Sequence, residues 1–151
     1  MSYQKEQDMD IDFYDVIPGN LTPSIIRLLS KAYASNQRCI FMSPDEERVK
    51  VVDKTLWTFS TKEFIPHGDK ELGFCDKQPI YFTSTFENPN NATVLIMCDS
   101  FDFQQYTKDL NRIILVFEND TEKAEALYHT LKKENNNVNY WKQSPNGWGK
   151  L

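Results

Sequence analysis

The chain has 151 residues, 40% hydrophobic and 13% aromatic, which fits one domain able to bury a real core and argues against a disordered chain. A formal net charge of −5 and a pI near 5.0 weigh against broad nucleic-acid or membrane binding, because recruiting phosphates and releasing their counterions needs a positive face. Cys39, Cys75 and Cys98 are odd in number, far apart and without C-x-x-C spacing, so they suggest neither a disulfide framework nor a zinc site and read as reduced thiols of a cytoplasmic protein.

Residues 1–10 are polar and acidic without periodicity and read as a flexible tail, lacking the basic-then-apolar pattern of a signal peptide. Residues 11–151 read as a single domain, and no apolar run reaches the length of a membrane span. Asp12 to Ile17 holds strand formers and is ended by Pro18-Gly19-Asn20. Thr22 as N-cap and Pro23 at the first helical position then open a helix whose apolar stripe is Ile25, Ile26, Leu28, Leu29, Ala32 and Tyr33, stopping near Asn36. Arg38 to Met42 is a compact apolar run of the kind a strand shows when both sheet faces are covered. Ser43-Pro44-Asp45-Glu46 is a capping-box pattern, and Val49, Val52 and Leu56 mark the buried stripe of the helix it opens.

From Asp69 to Gln78 the chain is polar and irregular, a long loop for a compact domain. Pro79 to Thr83 resumes as a strand, Glu87 to Asn91 is a turn, and Val94 to Met97 is a buried strand. Asp99 to Leu110, with Phe101, Phe103 and Tyr106, reads as a short helix, and Arg112 to Phe117 as another buried strand. Asn119 with Glu122 resembles an N-cap arrangement for a helix whose stripe is Ala124, Leu127, Tyr128 and Leu131, ended by Asn135-Asn136-Asn137. Val138 to Gln143 closes the domain as a strand, and Ser144 to Leu151 reads as a tail. The alternation of strands and helices predicts an α/β fold of three layers around a largely parallel sheet.

The glycine patterns that bring backbone against phosphate, Gly-x-x-x-x-Gly-Lys-Ser/Thr and Gly-x-Gly-x-x-Gly, are absent, as is the nucleophile elbow Gly-x-Ser-x-Gly. His67 and His129 are too few for a histidine metal cluster. Acids such as Asp45, Glu46, Glu47, Asp120 and Glu122 are explained by helix dipoles, which favour negative charge in a first turn. No catalytic residue, metal ligand or cofactor site is expected.

The stretch from Thr55 to Gly68 keeps large aromatics where a surface loop should begin. Two readings of it stand. Trp57 and Phe64 complete the core at the end of a helix, with Pro66-His67-Gly68 simply a turn. Alternatively they form an apolar patch, framed by Lys54, Lys62 and His67, of the kind a partner protein covers. The lysines of the last helix, Lys123, Lys132 and Lys133, likewise read either as a solvated face or as a site for an acidic peptide.

Several short motifs carry a resemblance. Phe13-Tyr14, Arg38, Asp45-Glu46, Leu56-Trp57-Thr58, Phe64-Ile65-Pro66-His67-Gly68, Gln78-Pro79, Glu87-Asn88-Pro89-Asn90, Tyr140-Trp141 and Gly147-Trp148 stand in the order and spacing of the chi-subunit family of bacterial DNA polymerase III holoenzyme, which the chain resembles from end to end. The resemblance implies a non-catalytic accessory subunit in an α/β fold similar to nucleotide-binding domains but lacking their phosphate loop. It implies two partners: the psi subunit of the clamp loader, and the acidic C-terminal tail of single-stranded DNA-binding protein (SSB), with no direct binding of DNA. Trp57, Phe64, Pro66 and His67 match the psi-facing surface, which a repair helicase also uses in some bacteria. Tyr128, His129, Lys132 and Lys133 match the tail-binding helix. There the relatives carry basic residues at the places held here by Glu125 and His129, so weaker or rearranged tail binding is expected, drawing on Lys123, Lys132 and Lys133. The alternatives are an adaptor for a helicase and an α/β enzyme with an unrecognised site.

Overall fold

A computed structural model describes residues 9–59, 66–135 and 137–151, with Cys75 described by its backbone alone. In chain order the elements are β1 (Asp10–Asp15), α1 (Leu21–Ala34), β2 (Cys39–Met42), α2 (Glu46–Phe59), β3 (His67–Gly68), β4 (Ile80–Thr83), β5 (Val94–Cys98), β6 (Arg112–Phe117), α3 (Thr121–Lys132), β7 (Val138–Ser144) and β8 (Gly147–Lys150). Single 3-10 turns occupy Cys75–Lys77 and Gln104–Tyr106. The strands form one sheet in the order β3-β4-β2-β5-β6-β1-β7-β8, parallel throughout except for the antiparallel pair β7 and β8.

The central strands are apolar because both of their faces are covered. On one face Phe41, Phe82, Ile96 and Val116 pack under Ile25, Ile26 and Leu29 of α1 and Val52 and Leu56 of α2. On the other, Phe13, Leu95, Leu115 and Tyr140 pack under Ala124 and Tyr128 of α3 and under Phe103. Successive residues of β2 alternate between the two cores, Cys39 and Phe41 to one and Ile40 and Met42 to the other, as the pleat requires. The expected three-layer α/β architecture with a largely parallel sheet is present. Among the described residues no helix is long and apolar enough to cross a membrane.

Several local expectations are corrected. α1 starts at Leu21, so Asn20 and not Thr22 stands at its cap; the Asn20 amide donates to Gln143 Oε1 at 2.9 Å instead of folding over the helix. α2 is capped by Asp45, whose Oδ1 accepts from Glu47 N–H at 3.0 Å, while Ser43 accepts from Asp45 N–H and donates to Asp99. α3 starts one residue late for an Asn119 cap: Asn119 is left-handed (φ 63°), and Asp120 takes the cap position.

Residues 99–110 form no helix beyond the 3-10 turn. Phe101, Phe103 and Tyr106 all contribute to the core beneath α3's side of the sheet, and spacings of two and three cannot put three side chains on one helical face. Left-handed Asp99 (φ 65°) and Asp109 (φ 67°) bound the segment. The supposed tail after Ser144 turns through Pro145-Asn146 into β8, where Trp148 packs edge-on against Tyr14 at 5.3 Å and Lys150 lies over the Trp141 ring at 5.4 Å. Gly147, at φ 124°, supplies a backbone conformation that side chains oppose.

Candidate functional site

α2 carries Glu46 and Glu47 in its first turn, where the helix dipole favours them, and buries Val52 and Leu56. Its last turn emerges from the core, leaving Trp57 46% exposed and Phe59 exposed beside it. Asp53 lies one helical turn before Trp57 on the same face. Across from them, β3 pairs in parallel with β4, His67 opposite Ile80 and Gly68 opposite Tyr81. This two-residue edge strand stands where a turn was expected. It fixes His67 with its ring centroid 4.2 Å from that of Trp57, the planes tilted by 45°, and 5.3 Å from that of Phe82 in a near-parallel stack.

His67 is only 1% exposed, so the expectation that it is itself presented to a partner does not hold. The histidine is the floor on which Trp57 rests. Its Nε2 lies 2.9 Å from Asp53 Oδ1, an electrostatic contact that is short but not aligned with the ring N–H. Gly68 packs directly against Leu72, whose exposed side chain would have to move aside for a Cβ at this position. Leu72 and Phe74 are exposed, which adds apolar surface in the loop following β3. Pro66 is partly buried, and Phe64 lies outside the described residues.

The α3 residues divide differently. Tyr128 is 7% exposed and belongs to the core, with ring centroids 5.6 Å from Tyr140 and 6.1 Å from Phe13. His129, Lys132 and Lys133 are exposed along one ridge of the helix. Lys132 Nζ donates to the Val138 carbonyl at 3.0 Å, bracing the helix end against β7. Lys123 lies 5.7 Å above the Phe101 ring, and Glu125, one helical turn before His129, is partly buried.

Polar groups that sequence reasoning missed gather at the carboxyl ends of the strands. Asp99 Oδ2 accepts from Ser43 Oγ at 2.7 Å, Arg48 Nε at 3.1 Å and Cys98 Sγ at 3.3 Å, and Oδ1 accepts from Arg48 Nη2 at 3.3 Å. Burial alone would raise this carboxyl's pKa, but the hydrogen bonds from Arg48, Ser43 and Cys98 outweigh it and hold the group below its ordinary value. Burial, reinforced by the neighbouring Asp99 charge, pushes the Cys98 thiol far up, and burial pushes Cys39 up to about 12. Both thiols therefore stay protonated, the opposite of a nucleophile's state. Asp15, at the end of β1, accepts from Tyr140 Oη and Thr121 Oγ1, each at 2.7 Å, and so pins the first turn of α3. The Ser43-Pro44-Asp45 capping pattern was the one local signal near these anchors.

A cleft of about 490 Å³ lies between the first turns of α2, residues 69–71 and the end of β4. Glu46, Asp69, Glu71 and Glu87 outnumber Lys50 and Lys70 on its walls, so an anion entering toward the α2 N-terminus meets carboxylates first. Among the described residues no three His, Cys, Asp or Glu side chains are grouped to hold a metal ion.

Comparison with known proteins matches residues 9–138 to the family described as DNA polymerase III chi subunit, HolC. A protein of Rickettsia prowazekii (strain Madrid E) named probable DNA polymerase III subunit chi is 36% identical over 141 residues, covering 85% of this chain and 83% of its own length. On both the extent of the match and the identity, this chain belongs to the DNA polymerase III chi subunit family.

Proposed function

We propose that this protein is a non-catalytic accessory subunit of the bacterial DNA polymerase III holoenzyme, linking the clamp loader, through psi, to the C-terminal tail of SSB. The observation that carries the reading is the Trp57 indole, nearly half exposed at the end of α2 yet seated on a buried histidine whose Nε2 lies 2.9 Å from Asp53 Oδ1. A large ring that is already ordered and still wet on one face is what interface hot spots are made of. Trp57, Phe64 and Pro66 are assigned to the psi contact, with His67 acting from beneath.

The tail site is assigned to the exposed ridge of α3, with Lys133, Lys132 and His129 offering charge and Tyr128 shaping the surface from the core. Glu125 opposes an acidic ligand, so tail affinity is expected to lie below that of relatives with a cation at that place. DNA contact is indirect, in keeping with the net charge of −5.

Two titrations test the reading. Purified psi should bind the wild-type protein, and Trp57→Ala should weaken that binding while leaving the fold intact. A peptide ending in aspartates and phenylalanine should bind at low salt and be released as salt rises. Unchanged psi affinity in Trp57→Ala would sink the first assignment, and no peptide binding at low salt would sink the second.

A further inference from the structure

We infer that Asp53 and His67 are positioning residues that set the plane of the Trp57 ring before any partner arrives. The inference rests on the assignment of Trp57 to the partner contact and goes beyond it by saying what holds that ring.

Three aromatic rings descend from solvent to core in the order Trp57, His67, Phe82, with centroid separations of 4.2 Å and 5.3 Å. Exposure falls from 46% at Trp57 to 1% at each of the inner two. The top ring comes from the last turn of α2, the middle one from β3 and the lowest from β4, so no single element fixes the stack. Its orientation is set at the middle ring. The near-parallel stack on Phe82, with planes 27° apart, constrains the face of His67, and Asp53 Oδ1 at 2.9 Å from Nε2 constrains its edge.

An imidazole turned by half a rotation would carry Nε2 away from that carboxylate. Asp53 therefore selects one ring orientation, the one that keeps Nε2 against its carboxylate. A leucine or phenylalanine at position 67 could floor the indole but would offer no edge for a carboxylate to hold. Asp53 stands one turn before Trp57 on α2, so the residue that orients the histidine sits on the same helical face as the residue the histidine supports. A side chain ordered in advance loses less entropy on binding, which is the advantage of a rigid anchor over a mobile one.

The test is a cycle of Asp53→Asn, Trp57→Ala and the double variant, measured for psi affinity. A Trp141→Phe/Trp148→Phe background lets Trp57 alone report fluorescence anisotropy in the free protein. Asp53 is partly exposed, its side chain at 28%, so the isosteric amide leaves no cavity. Asp53→Asn should weaken psi binding about fivefold when Trp57 is present and change nothing further when it is alanine, and it should increase nanosecond wobble of the indole. An equal loss in both backgrounds, or an unchanged anisotropy decay, would overturn the positioning role, because a merely structural change lowers stability without regard to Trp57. If Trp57→Ala leaves psi affinity intact, it is the partner assignment that fails, and the anisotropy of the free protein still decides the positioning role by itself. His67→Phe, which keeps a ring in the stack but loses the Asp53 contact, should reproduce the increased wobble.

Discussion

α2 and α3 are built alike at one end and differently at the other. Each has its first turn pinned to a strand-end aspartate: α2 to Asp99 through Arg48, α3 to Asp15 through Thr121. Each carries a candidate contact surface nearer its carboxyl end. On α2 the aromatic is outside and its polar support lies beneath it, Trp57 over the His67 and Asp53 pair. On α3 the aromatic is inside and the charges are outside, Tyr128 under His129, Lys132 and Lys133. The first arrangement offers a rigid apolar plate whose contribution survives salt. The second offers long side chains on a fixed ridge, whose attraction is screened within about 8 Å at physiological ionic strength.

The sharpest way to break this comparison is to truncate both aromatics. Tyr128→Ala should destabilise the fold by about 3 kcal/mol, since it empties a site surrounded by Phe13 and Tyr140. Trp57→Ala should cost much less stability, because nearly half of the ring is in water already. Urea unfolding of both variants checks this, and equal losses would mean that Trp57 is core after all. Binding should reverse the ranking: Trp57→Ala is expected to weaken psi by about 2 kcal/mol, roughly thirtyfold, as measured by calorimetry.

The α3 surface is sharpened by a gain of function. Glu125→Lys removes a carboxylate from the ridge and adds a cation, so affinity for an acidic tail peptide should rise about tenfold at low salt, on the order of 1.4 kcal/mol. The gain should shrink as salt is raised from 50 to about 300 mM. A gain that ignores salt would mean that the substitution acts through packing.

These differences bear on how much of the molecule its sequence discloses. The strands with apolar runs, such as Ile113 to Val116, and the helices with a clear stripe were legible because periodicity is local. The segment 99–110 was not, since its three aromatics reach one core from irregular backbone and imitate a helical composition. β8 was missed because Gly-Trp-Gly-Lys alternates only once and follows a Pro-Asn turn that reads equally as a tail. At the candidate site, Trp57 stood out by its place at the margin of the α2 stripe. His67 could be suspected only as a neighbour, because its burial depends on Asp53 fourteen positions earlier and Phe82 fifteen positions later. Contacts of that range leave no periodic trace.

The smallest expected effect concerns the anchors rather than the surfaces. Asp99 holds the start of α2 through Ser43 and Arg48, and its pKa is depressed in the folded protein. A carboxyl whose folded pKa lies below its unfolded value contributes stability that is fully present above the unfolded value, near 3.8, and is lost as pH falls through the folded one. The wild-type protein should therefore lose this contribution only below about pH 4. Asp99→Asn should lack it at neutral pH and show a flatter acid limb, the two proteins converging at low pH. Asparagine tolerates the left-handed backbone that Asp99 adopts, so the variant alters charge and hydrogen bonding without forcing the chain. Urea unfolding at pH 7, 4 and 3 checks the convergence.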